Sequence, residues 1–97
     1  MFVARLLAVL VTGTREQRAS VLHEAILLRL ADGTLCQGRR QVLASLDRGR
    51  DSTYRLLDAS PDSLSVALEV PDVPGYLTFT LHGEALDGRL IAVHVEV

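Results

Sequence analysis

Apolar residues cover almost the whole circumference of the helix predicted at the start of the chain. They fall on two neighbouring stripes at helical spacing, Phe2, Leu6, Val9 and Leu10 on one and Val3, Leu7 and Val11 on the other. A helix that is apolar on nearly every side has to be buried on more than one side. We therefore expect it to lie inside the domain.

Turn and capping residues predict where this helix ends and a second one begins. Gly13 suits a left-handed residue that closes the first helix. Thr14, with Gln17 three positions later, has the pattern of a capping box. The second helix should then run from about Arg15 to His23.

A hairpin and a third helix follow. The dense apolar run 26–30, the turn Asp32-Gly33 and the segment 34–37 predict two short strands joined by a tight turn. Residues 39–46 are apolar along one side at helical spacing, which predicts a short helix before a charged loop at 47–52.

From residue 53 onward the apolar period falls to two, which predicts four strands at about 53–59, 64–70, 76–84 and 90–97. Such alternation places aliphatic side chains on one face of a sheet and polar ones on the other. The aliphatic face should comprise Val66, Leu68, Phe79, Leu81, Val93 and Val95, packed against Leu6, Leu10, Leu22 and Leu43.

The register of the last hairpin follows from keeping polar and apolar side chains on separate faces. A two-residue turn at 87–88 would place His82 opposite Val93, which mixes the two kinds of side chain. A three-residue loop at 86–88 would instead pair Leu81 with Val93. We expect the second register.

Length and composition indicate one packed domain, residues 1–97. Of the 97 residues 48% are hydrophobic, and the net charge is only −2, which is typical of a single globular core. All ten basic residues are Arg and lie among acidic ones, so no stripe of one charge is available for phosphates. We predict no nucleic-acid partner.

The single cysteine and the short apolar segment near the start of the chain indicate the cellular compartment of the protein. Cys36 has no second cysteine with which to form an internal disulfide, which favours a reducing environment. The apolar run 6–11 is too short to span a membrane and lacks a small-x-small cleavage site. We therefore predict a cytoplasmic protein with no membrane partner.

Three segments carry a likeness to a known superfamily. They are 26–30 with Asp32-Gly33-Thr34, Gly38-Arg39 with Val42 and Leu43, and Asp87-Gly88-Arg89-Leu90-Ile91. In this order they resemble the SnoaL-like, or nuclear transport factor 2-like, superfamily. The resemblance implies an α+β fold in which N-terminal helices pack on a curved antiparallel sheet to form a cone. Such domains are commonly dimeric, sheet against sheet, and include ketosteroid isomerases, polyketide cyclases, dehydratases and members that only bind or scaffold.

Departures from the resemblance weigh against isomerase chemistry. Counting back from Asp32-Gly33, the strand position where isomerase-like relatives carry a carboxylate base is Leu30 here. The first helix contains no Tyr to polarise a carbonyl. The chain before the first strand is also shorter than in typical members, which should shrink or open the pocket.

Two pairs of residues are candidates for a site. His23 and Glu24 could act as acid and base at the mouth of a cavity. Alternatively, His23 could simply interact favourably with the negative C-terminal end of the second helix. Tyr54 and Tyr76 could donate hydrogen bonds to a ligand, although aromatic residues are also common in strands.

His82 and His94, with Glu84 and Glu96 nearby, could hold a metal ion. Histidines on the outer face of a sheet are more often exposed or at an interface, so we predict no metal. The spacing of these His and Glu residues along the chain does not match a metal-binding motif.

Cys36 has no adjacent base in sequence, which favours an inert thiol. Arg39 and Arg40 could bind an anion at the start of the third helix, and a solvated helix start is the alternative. The sequence contains no phosphate-binding loop, dinucleotide-binding pattern or nucleophile elbow. We therefore predict no cofactor.

The sheet face opposite the core predicts a homodimer interface. Its centre presents Thr78, Thr80, His82, Ala92 and His94. Depletion of charge at the centre, with charge at the rim, is how the core of an interface is composed. A different protein could use the same face.

Together these observations favour a nonenzymatic, dimeric domain that binds a small apolar ligand or a protein partner. The alternative is a small isomerase, cyclase or hydrolase-type enzyme that uses His23, Glu24 or a histidine of the sheet as acid or base. Polar groups converging inside an apolar cavity would favour the enzyme, and histidines outside a filled core would favour the binding domain.

Overall fold

The computed structural model describes residues 3–48 and 52–97, which form three helices and one six-stranded sheet. The helices are α1 (Val3–Thr12), α2 (Arg15–Val21) and α3 (Arg39–Asp47). The strands are β1 (Leu22–Arg29), β2 (Leu35–Gln37), β3 (Thr53–Ser60), β4 (Ser63–Glu69), β5 (Leu77–Leu86) and β6 (Arg89–Glu96). The predicted α+β class is confirmed. Phe2 of the predicted first stripe and residues 49–51 of the predicted loop lie outside the described residues.

The second helix begins with the predicted capping box. Thr14 Oγ1 accepts a hydrogen bond from the backbone N–H of Gln17 at 3.2 Å, and Gln17 Oε1 accepts one from the N–H of Thr14 at 2.9 Å. The helix ends at Val21, earlier than predicted, because the chain passes directly into β1 at Leu22.

The first helix ends as predicted near Gly13, but for a different reason. Gly13 does not have a positive φ. A Cβ at this position would lie 2.6 Å from the Val9 carbonyl oxygen, so close approach excludes a side chain. No helix within residues 3–48 and 52–97 has the length and apolarity needed to cross a membrane.

The strands form one sheet in the order β2-β1-β6-β5-β4-β3. The predicted hairpin of β1 and β2 is confirmed, with Leu27 opposite Gln37. At its turn the Asp32 carboxylate accepts from the N–H of Thr34 at 2.9 Å, and hydrogen bonds from Thr34 hold the pKa of Asp32 below its ordinary value. β1 and β6 are parallel, whereas the other described pairs are antiparallel, so the sheet is mixed.

The turn between β5 and β6 has two residues, so the predicted three-residue loop is wrong. Asp87 and Gly88 both have positive φ, 53° and 79°, and Leu86 pairs with Arg89 across them. An Asp-Gly pair with two positive φ angles is the preferred two-residue hairpin turn, because its twist matches that of the strands.

A β-bulge in β6 then resets the register. Ile91 has no partner on β5, and beyond it His82 pairs with His94 and Leu81 pairs with Val95. The predicted pairing of Leu81 with Val93 is therefore wrong. One extra residue shifts the alternation by one position, which keeps polar and aliphatic side chains on separate faces despite the tight turn.

The aliphatic face of the sheet packs on the helices, as predicted. The buried core consists of Leu6, Leu7, Leu10, Val11, Leu22, Ile26, Leu28, Cys36, Val42, Leu64, Val66, Leu81, Leu90 and Val93. Leu43, Phe79 and Val95 are partly buried against it. Leu68, which was also expected here, is half-buried near the β3 edge opposite Tyr54 and is not part of this cluster.

The first helix lies directly against Gly83 of β5. A Cβ on Gly83 would lie 2.7 Å from Val3 Cγ1, 3.2 Å from Leu7 Cδ2 and 3.3 Å from Leu90 Cδ2. Leu7 and Leu90 are both 0% exposed, so making room for a side chain at Gly83 would require movement within the packed interior. The glycine therefore sets the distance between α1 and the sheet.

Gly83→Val should destabilise the domain by about 1–3 kcal/mol, because it adds three carbons to a filled contact. The free energy of unfolding in urea measures this. The control is Ala85→Val at an exposed position of the same strand, where the change should stay within about 0.5 kcal/mol. Valine has a higher strand propensity than glycine, so without the close contact Gly83→Val would stabilise the domain. A stabilising effect would therefore contradict the contact.

Candidate functional site

A cavity of about 270 Å³ lies between the inner face of the sheet and the helices. All three helices and strands β1, β3, β5 and β6 contribute to its wall. The lining residues are Leu10, Val11, Arg18, Leu28, Leu30, Ser45, Leu46, Tyr54, Leu77, Thr78, Phe79, Leu81, Val95 and Val97. The wall is thus mostly aliphatic and aromatic, as ligand cavities usually are.

The cavity meets the surface beside the first residue of β5 and the residue after β6. There Leu77 is 63% exposed. Large apolar side chains that remain this exposed at the edge of an apolar cavity form a mouth that a nonpolar molecule can enter.

Arg18 of α2 places a positive charge in the wall of this cavity. Its Nη2 donates a hydrogen bond to the Val11 carbonyl oxygen at 2.9 Å, and its Nε is buried without a hydrogen-bond partner. No ion pair found within residues 3–48 and 52–97 includes Arg18. An unpaired buried donor costs about 1–3 kcal/mol.

A groove adjoins the cavity at Arg18. Val11, Arg18 and Tyr54 line both spaces, and the groove continues past Thr12 and Ser52. The guanidinium and the Tyr54 ring therefore belong to the same end of the cavity.

The predicted acid–base pair lies away from the cavity. His23 is on β1 and not in the second helix, and its Nδ1 accepts a hydrogen bond from the N–H of Ala25 at 3.0 Å. The Glu24 side chain is 81% exposed and lies 3.6 Å from the Arg39 guanidinium. Neither His23 nor Glu24 lines the cavity.

The two tyrosines have different surroundings. Tyr54 is half-buried and lines the cavity, whereas Tyr76 is 66% exposed in the connection before β5 and does not line it. Leu30, at the position where the resemblance implies a carboxylate, also lines the cavity. A leucine offers neither a proton acceptor nor a charge there.

The outer face of the sheet carries the two histidines side by side. His82 and His94 are cross-strand partners with ring centroids 6.3 Å apart, and His82 Nε2 lies 3.5 Å from Glu96 Oε2. Thr80, beside them, exchanges a 3.1 Å hydrogen bond with the Ser65 hydroxyl. No group of three or more His, Cys, Asp or Glu side chains that could hold a metal ion occurs in the described parts of the chain.

The remaining candidates have structural surroundings. Cys36 is a buried free thiol, paired across the hairpin with Leu28 on the core face. Arg39 at the start of α3 pairs with Glu24, and Arg40 is exposed. These contacts match the inert thiol and the solvated helix start.

Comparison with known proteins gives the fold. No protein-family model and no curated protein matches the chain. A protein from Jannaschia sp. CCS1, proposed to be a SnoaL-like polyketide cyclase, superposes with a TM-score of 0.76 at 11% identity, over 95% of this chain and 82% of that one.

Two further solved structures agree. A protein from Kribbella flavida, proposed to be a ketosteroid isomerase, has a TM-score of 0.77 at 25% identity over 97% of this chain and 73% of that one. A protein of ketosteroid isomerase-like fold from Catenulispora acidiphila, in complex with trimethylamine, has a TM-score of 0.68 at 12% identity over 98% of this chain and 84% of that one. The chain therefore has the SnoaL-like, or nuclear transport factor 2-like, fold, as the sequence resemblance implied.

Sequence reasoning missed three residues of these surfaces. Arg18 precedes Val21, which is partly buried against the core, by three positions, the spacing of one helix face, so its place on the core-facing side of α2 was detectable. Leu27 and Leu35 extend the outer face over β1 and β2 and are 43% and 45% exposed. The dense apolar run around Leu27 concealed their alternation.

The two tyrosines should differ in their exposure to a dissolved quencher. With no Trp in the chain, emission reports Tyr54 alone in Tyr76→Phe and Tyr76 alone in Tyr54→Phe. Acrylamide should quench Tyr76 more steeply, because Tyr54 is shielded by the cavity wall. Equal quenching slopes would contradict the position of Tyr54.

Proposed function

We propose that the chain is a nonenzymatic, dimeric domain that binds a small, mainly apolar ligand in the cavity behind Leu77 and Val97. The observation that carries this proposal is an apolar cavity with an exposed apolar side chain at its mouth. Filling that space with side chains would have increased stability. A retained cavity of this composition is well suited to a nonpolar guest.

The character of the wall supports binding over catalysis. Among its described residues no His, Asp, Glu or Cys lines the cavity. Arg18 has a permanently charged guanidinium with no acceptor site, and it therefore cannot accept a proton as a general base. The candidates with suitable chemistry lie elsewhere, His23 and Glu24 on β1 and His82 and His94 on the outer face of the sheet.

The solved structures support a ligand site of some kind. The Catenulispora protein is described in complex with the small molecule trimethylamine. Domains of one fold host unrelated functions, so the ligand and any reaction depend on the side chains of the cavity. The enzymatic alternative rests on the names of the Jannaschia and Kribbella proteins.

Ser45→Phe on α3 should block the cavity, because Ser45 is half-buried in its wall. The control is Ala44→Phe, an exposed neighbour on the same helix. The neutral fluorescent probe N-phenyl-1-naphthylamine should bind the wild type and Ala44→Phe alike, and Ser45→Phe at least about tenfold more weakly. No binding to the wild type, or equal binding to both variants, would overturn the proposed site.

The same proposal assigns the outer face to a homodimer. Its centre, formed by Thr78, Thr80, His82, Ala92 and His94, carries no Asp, Glu or Arg. The exposed side chains of Leu27 and Leu35 add apolar area at one side. A small domain gains buried surface by pairing such a face. A different protein partner would suit the same composition, and the oligomeric state separates the two.

Thr80→Asp should dissociate the dimer, because it buries an uncompensated carboxylate directly opposite Glu96. The matched control is Thr53→Asp on the edge strand, which faces Glu69 in the same way. Both changes create a like-charge pair across two strands, but only one lies at the centre of the face. Light scattering at micromolar concentration should show a dimer for the wild type and Thr53→Asp and a monomer for Thr80→Asp. A monomeric wild type would rule out the homodimer and leave a different partner.

A further inference from the structure

Arg18 is the feature of the cavity that a purely apolar ligand does not explain. An apolar guest would cover the guanidinium and leave its buried Nε without an acceptor. Burial of a polar group is unfavourable unless it is hydrogen-bonded, and that penalty rises when the last solvent is displaced. The guest that fits best therefore brings its own acceptor.

The charge of the surroundings favours an anionic acceptor. No Asp or Glu is found among the described residues of the cavity wall. No described ion pair neutralises Arg18. Its positive charge is half-buried where the apolar cavity meets the groove, and there an opposite charge is attracted more strongly than in bulk water. A cationic guest would be repelled.

The shape of the guanidinium favours a carboxylate. Its planar donors match the two oxygens of a carboxyl group, and hydrogen bonds between charged partners are stronger than neutral ones. The bond from Nη2 to the Val11 carbonyl oxygen holds the group in place at the end of the cavity where Tyr54 also lies. The anchor is thus oriented before a ligand arrives.

We infer that the cavity binds an amphipathic monocarboxylate, with the acid group on Arg18 and the hydrocarbon body along the aliphatic wall towards Leu77. The inference rests on the proposed ligand-binding function and narrows it to one chemical class. The volume of about 270 Å³ is near the lower end of ligand cavities, which suits an acid of about eight carbons.

A structural role for Arg18 is the competing explanation. Arginine side chains often bind the last carbonyl oxygens of a helix, as Arg18 does at Val11 near the end of α1. That role predicts a change in stability when Arg18 is replaced, but no preference for an acid over its alcohol.

The test compares octanoate with 1-octanol by calorimetric titration of the full chain. The alcohol partitions better than the acid anion into an apolar site. Octanoate should therefore bind the wild type more tightly than 1-octanol only if a cation contacts its carboxylate. Arg18→Gln should weaken the binding of octanoate by about tenfold or more, as expected for a charge-assisted hydrogen bond. It should change the affinity for octanol by less than about threefold.

Arg18→Lys should keep part of the preference for octanoate over octanol. Arg15→Gln, which removes an equal charge from the exposed side of α2, should leave it intact.

A second readout follows the acid itself. With octanoate labelled at its carboxyl carbon, the pKa of the bound acid should be lower in the wild type than in Arg18→Gln, because a neighbouring cation favours the charged form. A structural role would leave this pKa unchanged. If Arg18→Gln does not fold, Arg18→Lys and the wild-type comparison decide the question.

Octanol binding as tightly as octanoate to the wild type would overturn the carboxylate inference and leave the apolar-ligand function standing. If octanoate, octanol and the neutral probe all fail to bind, the carboxylate inference and the proposed ligand-binding function are both wrong.

Discussion

The contact of α1 with the inner face of the sheet is the constraint on which the rest of the domain depends. Leu7 and Leu10 on this helix are 0% and 2% exposed, and Gly83 lets the helix lie directly on β5. Gly83 is near the C-terminal end of β5, whereas Leu77 is its first residue. Close packing at Gly83 and the exposed apolar side chain of Leu77 therefore lie at different places along the same strand.

The alternation of side chains then separates two surfaces of one sheet. On β1, Leu28 faces the cavity while Leu27 lies on the outer face, and the pairing of Leu28 with Val93 continues this division across the parallel strand. The bulge at Ile91 preserves it around the tight last turn.

The polar groups of the cavity are few, and their identities decide what the fold does here. Solved proteins with the same fold include ones described as cyclases and isomerases, so the backbone does not select a reaction. Leu30 supplies hydrocarbon where the resemblance implies a base. Arg18 supplies a fixed positive charge and does not accept protons. Neither side chain therefore offers a proton acceptor to the cavity.

The sequence by itself determined the elements of this protein, because helical periodicity, the Thr14–Gln17 capping box and the Asp-Gly turns act over a few residues. It also determined which sheet face is aliphatic. Tertiary structure alone decided that β1 pairs in parallel with β6, that Ile91 bulges, and that His23 and Glu24 lie away from the cavity while Arg18 enters it. These features depend on which distant segments of the chain pack together. Local patterns of polarity do not specify the relative direction of two strands, or whether a side chain lies in a cavity formed by distant segments.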